Sequence, residues 1–77
     1  MHDPDDTAWL TSRSRTLGAR IQAARINANL TQETVHLAVG MSRSRYQEIE
    51  SGEANPTFYV LLRIARVLDI PLSELVR

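Results

Sequence analysis

The sequence predicts an all-α domain of five short helices, and three observations lead there. From Leu17 onward apolar residues recur at spacings of three to five, the signature of a helix face turned to a core. No stretch alternates apolar and polar residues in the manner of a strand. Asn, Thr, Ser, Gly and Pro fall between the periodic segments, at the places where helices start and stop.

Each element follows in order. Residues 1–16 lack a sustained period and read as an N-terminal arm with room for some helix, carrying one small apolar pair, Trp9 and Leu10. Residues 17–77 then form the domain. Its first helix covers 17–28, with Leu17, Ile21, Ala24 and Ile26 on the apolar stripe and Arg20, Gln22 and Arg25 mostly off it. Asn29 tolerates the left-handed backbone that closes a helix. Thr31 caps a second helix over 32–39, and Glu33 sits in its first turn, where the dipole favours an anion. Gly40 ends it, and Ser42 caps a third helix over 43–50. The segment 51–56 is a loop with Gly52 at a helix exit and Pro56 near the next entry. Thr57 caps a fourth helix whose apolar face is Phe58, Leu61, Leu62, Ala65 and Leu68. After Asp69, Ile70 and Pro71, the residues Leu72, Leu75 and Val76 mark a short fifth helix.

Composition removes most chemistry. The 77 residues include nine Arg and no Lys, which excludes a Lys nucleophile or Schiff base, and no Cys, which excludes disulfides, thiolate zinc sites and a Cys nucleophile. The two histidines, His2 and His36, are too far apart to suggest a metal site, and there is no glycine-rich phosphate loop. The reading is therefore not an enzyme, with no cofactor and no small-molecule substrate. No apolar run approaches the roughly 18 residues of a membrane span. The N-terminus, Met1 to Asp6, is acidic where a signal peptide is basic, so the expected location is the cytoplasm, in association with the nucleoid. Formal net charge is zero, but residues 13–77 carry nine Arg against six acids, and Arg13, Arg15, Arg20 and Arg25 crowd together. The body is basic behind an acidic tip, and it is placement that decides whether a polyanion is attracted.

The pair of helices joined at Gly40 is the informative feature. Two short helices meeting steeply need apolar residues on both sides of a glycine turn and buried positions on their inner faces, and Val35, Val39, Gly40, Met41, Tyr46 and Ile49 supply these in order. The stretch Leu30-Thr31-Gln32-Glu33 through Gly40-Met41-Ser42-Arg43-Ser44, followed by Ile49-Glu50-Ser51-Gly52 and Asn55-Pro56, resembles the lambda repressor and Cro-like (Xre) helix-turn-helix family. The resemblance covers about 60 positions, including Leu61 to Leu68 and the Leu-Ser-Glu-Leu tail. One residue departs from the pattern: His36 stands where the family has a small residue, and the ring is expected to tilt to the rim.

The resemblance implies that the third helix enters the major groove of double-stranded DNA and that the start of the second lies against the phosphates. Arg43 has the guanidinium fork for guanine O6 and N7, Ser44 and Gln47 lie on the same outward side, and Glu48 has the acceptors for cytosine N4. Gln32 matches the family's phosphate contact at a helix N-terminus, and Thr31, Arg45, Ser51, Asn55 and Thr57 stand where further backbone contacts are made. Arg25 and Glu50 correspond to a structural ion pair of the family rather than to DNA contacts.

A single unit of this kind reads few base pairs, so the expected form is a homodimer on a palindromic operator, with Val67, Ile70, Leu72 and Val76 as its interface. At this length a fold buries only about 60–65% of its unfolded surface, which also favours a partner. The function expected is a sequence-specific transcriptional regulator. A chain ending directly after the fifth helix suggests a stand-alone phage-type repressor, antitoxin or restriction-modification controller. The alternative is a protein-interaction module, an antitoxin or adaptor with secondary DNA binding, which the sparse positive charge and the apolar Trp9, Leu37 and Val67 would serve.

Overall fold

A computed structural model describes residues 4–77 of the chain; Met1, His2 and Asp3, part of the acidic N-terminus read above, lie outside the described residues. All regular structure among the described residues is helical, in the order α1 (Pro4–Asn27), α2 (Gln32–Val39), α3 (Arg43–Ser51), α4 (Phe58–Leu68) and α5 (Ser73–Val76). No helix among them is long and apolar enough to cross a membrane.

The main departure from the sequence reading is α1, which is 24 residues long and starts at Pro4 rather than at Leu17. Residues 4–16, read as an arm, are continuous helix. Pro4 suits a helix start, where a missing N–H costs nothing, and the aspartates that follow suit the positive end of the dipole. The first half escaped notice because it has no buried stripe: Trp9 and Leu10 are both exposed. It is held by a close backbone approach to the end of α3 and by Arg13 Nη2, which donates to the Arg77 carbonyl at 3.1 Å. A Cβ on Gly52 would lie 2.7 Å from the Cα of Arg15, and one on Gly18 would lie 2.4 Å from the carbonyl oxygen of Glu50. At each of the two contacts one partner is a glycine that has no room for a side chain.

Further along, Ile21 is fully buried while Ile26 is exposed, so the inward stripe continues through Ala24 and Arg25 instead. Asn29 takes the left-handed conformation at φ 59° and turns the chain into α2. Thr31, Ser42 and Thr57 each cap the next helix through a side-chain oxygen that accepts from a backbone N–H three residues on, at 3.0, 3.2 and 3.2 Å. Each such cap is worth about 1 kcal/mol.

Ile21, Val35, Val39, Tyr46, Ile49, Ile64, Ala65, Leu68 and Leu75 form one core that ties all five helices together. The turn between α2 and α3 depends on Gly40 at φ 85°, with the N–H groups of Gly40 and Met41 both donating to the His36 carbonyl at 3.0 Å. On α4 the buried face is Ile64, Ala65 and Leu68 with Leu61 beside them. Phe58 and Leu62, expected on that face, are exposed, and the Phe58 ring packs instead near Tyr59, also exposed. Their spacing from Leu61 and Leu68 gives a shared face, but the buried part of that face is narrower and leaves them outside it.

Candidate nucleic-acid interface

The outer surface of the molecule at α2 and α3 is built by alternation along α3. Tyr46, Ile49 and Glu50 turn inward and are buried, which leaves Arg43, Ser44, Arg45, Gln47, Glu48 and Ser51 exposed on the other side. Ser44, Gln47, Glu48 and Ser51 line one shallow depression together with Glu53, an acid that the sequence reading did not single out. Ser51 Oγ donates to the Glu48 carbonyl at 3.1 Å and so belongs partly to the helix end. The side chains of Arg43 and Arg45 form no ion pair among the described residues, which leaves two guanidinium groups at the start of α3 uncommitted.

Gln32, half-buried in the first turn of α2, leans across to α3. Its Oε1 accepts from Gln47 Nε2 at 3.2 Å and its Nε2 donates to Glu50 Oε1 at 3.1 Å. Thr31 and Thr57 are exposed, but their oxygens already serve as caps, and Thr31 Oγ also lies 2.9 Å from the Thr34 hydroxyl. Asn55 is exposed and borders the depressions that face Leu10 and Ser14 of α1, so it stands on a different flank from Gln47.

Arg25 and Glu50 meet beneath this surface. Arg25 Nε lies 2.7 Å from Glu50 Oε2, with the two side chains only 12% and 3% exposed, and Arg25 Nη2 donates to Glu50 Oε1 at 3.3 Å. Arg25 Nη1 reaches the Leu30 carbonyl at 3.0 Å. The Tyr46 hydroxyl donates to Glu50 Oε2 as well. Glu50 therefore joins α1, α2 and α3 through four side-chain donors. Burial alone would raise its pKa, but the hydrogen bonds from Arg25, Tyr46 and Gln32 outweigh that and hold the carboxyl below its ordinary range. The same network keeps Arg25 charged, and burial together with the adjacent carboxylate pushes the Tyr46 phenol well above its usual value. Every buried side-chain polar atom among the described residues has a partner.

Sequence reasoning missed two features here. Tyr46, expected at a buried inner-face position and found there, also brings its hydroxyl into the ion-pair network; a buried Tyr four residues before a buried Glu on one helix is the available signal. His36, expected at the rim, has a partner there that the sequence did not indicate. Its ring is half-buried over the turn, with Nδ1 2.9 Å from the Met41 carbonyl, so the nitrogen carries a proton and donates. That contact ties the last turn of α2 to the entry of α3.

The surface expected to dimerise is mixed. Val76 is 48% exposed, but Val67, Ile70 and Leu72 are half-buried and packed against the monomer's own core. Val67 accordingly adds little to an exposed protein-binding surface, whereas Trp9 and Leu37 are open to solvent.

Three comparisons with known proteins bear on this geometry. The helix-turn-helix family model matches residues 21–75. The crystal structure of the restriction-modification controller protein C.AhdI from Aeromonas hydrophila is similar to the chain, at 31% identity and a TM-score of 0.80, over 83% of this chain and 97% of that one. A search of the curated proteins finds no match.

Proposed function

Because the chain belongs to the lambda repressor and Cro-like (Xre) helix-turn-helix family and is a DNA-binding transcriptional regulator, we propose that it works by occupying an operator as a symmetric dimer, in the manner of a small repressor or controller. The observation that carries this is the exposed row on α3. Arg43, Ser44, Gln47 and Glu48 offer donors and acceptors suited to base edges, on a capped helix whose inner face is locked into the core. In this reading Gln32, Thr31, Arg45, Ser51 and Thr57 would meet phosphates, and Asn55 would do so only if the duplex extends past the end of α3. The regulator would act in the cytoplasm and by occupancy rather than by chemistry.

The dimer rests on the limited burial of a small domain and on the apolar residues at the end of the molecule, Val67, Ile70, Leu72 and Val76. The likeness to a controller protein along nearly that protein's whole length supports the controller role over a phage-type repressor or an antitoxin. Random-site selection with the purified protein tests the reading. The expected product is a two-fold symmetric site with half-site centres about 10 base pairs apart, or a multiple, bound with an affinity that falls steeply with salt. Recovery of no common sequence, or binding indifferent to salt, would favour a surface made for protein, for which the exposed Trp9 and Leu37 are the available contacts.

A further inference from the structure

Gln47 and the buried ion pair are connected by an unbroken line of hydrogen bonds, and the chemistry of its two ends fixes the direction of every bond between them. Glu50 is the inner end. As an ionised carboxylate gripped by Arg25 at 2.7 Å, it can only accept. The Gln32 amide 3.1 Å away must therefore turn its NH2 group toward Glu50. Its carbonyl oxygen then faces the other way, toward Gln47, and that oxygen also can only accept. Gln47 must in turn point its own NH2 at Gln32, as the 3.2 Å contact records. A reversed Gln47 would set oxygen against oxygen.

We propose that Glu50 is a positioning residue for base reading: acting through Gln32, it fixes the orientation of the Gln47 amide, so that Gln47 meets DNA with its carbonyl oxygen and one remaining N–H. This rests on the reading that α3 enters the major groove. An acceptor beside a single donor matches adenine, whose N6 amino group donates and whose N7 accepts. It does not match guanine, whose O6 and N7 both need donors, because one of the two amide hydrogens of Gln47 is spent on Gln32. A solvent-exposed glutamine on its own could turn either way. The buried carboxylate removes that freedom from two residues away in space, and so converts a structural ion pair into a determinant of sequence preference. Gln32 keeps one N–H beyond its bond to Glu50, so a phosphate contact by the same amide remains compatible with this role.

The test compares base preference, which a purely structural part would not alter at one position alone. Wild type, Gln47→Ala, Gln32→Met and Glu50→Gln are each put through random-site selection. Their affinities are then measured on labelled duplexes of the wild-type site carrying each of the four bases at every position. Gln47→Ala should identify one position per half-site where wild type prefers adenine by about tenfold. Gln32→Met, which removes the link at a half-buried helix start and leaves both members of the ion pair in place, should reduce that preference to about twofold or threefold and leave the other positions unchanged. Gln47→Ala in the Gln32→Met background should change it little further. Glu50→Gln, whose amide can present either oxygen or nitrogen to Gln32, should relax the same position; if it does not fold, Gln32→Met decides alone. The inference is overturned if Gln32→Met weakens all four bases equally, if it keeps the wild-type preference, or if Gln47→Ala changes no position. Should wild type itself select no sequence, the reading of α3 fails first, which is a different result from a selected site that is insensitive to Gln32.

Discussion

Replacing either partner of the buried pair should be among the most damaging single changes to this fold. Arg25→Ala leaves the Glu50 carboxylate with Tyr46 and Gln32 as donors and no countercharge, and it also strips the Leu30 carbonyl of its Nη1 donor. Glu50→Ala strands a guanidinium that is 12% exposed, together with the Tyr46 hydroxyl. Breaking a buried pair in this way costs about 3–5 kcal/mol. A domain of this size has only about 4–12 kcal/mol in total, so each variant should lose a large part of its stability. At roughly 4–8 °C per kcal/mol, the melting temperature falls by about 12–40 °C. Thermal and urea melts followed by circular dichroism measure it. The double variant should lose less than the two single losses together, by about 1–3 kcal/mol, because the second deletion removes a group already orphaned. Additivity within about 0.5 kcal/mol would refute the idea that the two residues act as one unit.

Acid should reproduce part of this effect. The Glu50 pKa is depressed on folding, so its contribution is complete above the ordinary carboxylate value of 4.5 and is lost as pH falls below that and through the lower folded value. The melting temperature of wild type should therefore drop on acidification through that window more than that of Glu50→Ala. Equal slopes for the two proteins would contradict the depressed pKa.

Three further outcomes can be checked. Arg43→Ala should cost about 1–3 kcal/mol on the selected site and much less on unrelated DNA, measured by fluorescence anisotropy; an equal loss on both would make Arg43 a phosphate contact. Gly18→Ala should destabilise by at least about 1–3 kcal/mol, because the added Cβ meets backbone at 2.4 and 2.5 Å that cannot rotate away, whereas Gly40→Ala meets nothing and should cost only the roughly 1–2 kcal/mol of a left-handed residue. Comparable losses would mean that the crossing of α1 and α3 yields easily. For the proposed dimer, Val76→Asp should shift the equilibrium toward monomer in sedimentation; if Leu62→Asp does so and Val76→Asp does not, the interface lies on the exposed Phe58, Tyr59 and Leu62 face of α4 instead.

The elements that sequence revealed are those whose ends carry their own chemistry. Thr31, Ser42 and Thr57 are caps by side-chain type, and Gly40, Gly52 and Asn29 are exits by backbone freedom, so α2, α3 and α4 start where the letters place them; α5 has no side-chain cap and is marked only by its apolar residues. The first half of α1 offered no such periodic signal. Its hold on the molecule is a close backbone approach at Gly18 and Gly52, and a glycine that makes room for another helix looks the same in sequence as one that breaks its own. Spacing also misjudged Phe58, Leu62 and Ile26, because it gives which residues share a face but not how wide a face the neighbours cover.

For the candidate site, the division of α3 into inner and outer residues was legible, since Tyr46 and Ile49 fix the buried side and the polar residues follow. What could not be read was the direction of the hydrogen bonds. Gln32, Gln47 and Glu50 are separated by 15 and 3 residues along the chain, and an amide gives no indication in sequence of which end it will offer. Only when Glu50 is seen to be buried against Arg25, with Gln32 in reach of it, does a choice of two orientations at each glutamine become one. The buried carboxylate thus bears on the surface proposed to face DNA as well as on the core, and a change at residue 50 that spared the fold would alter the bases preferred opposite residue 47.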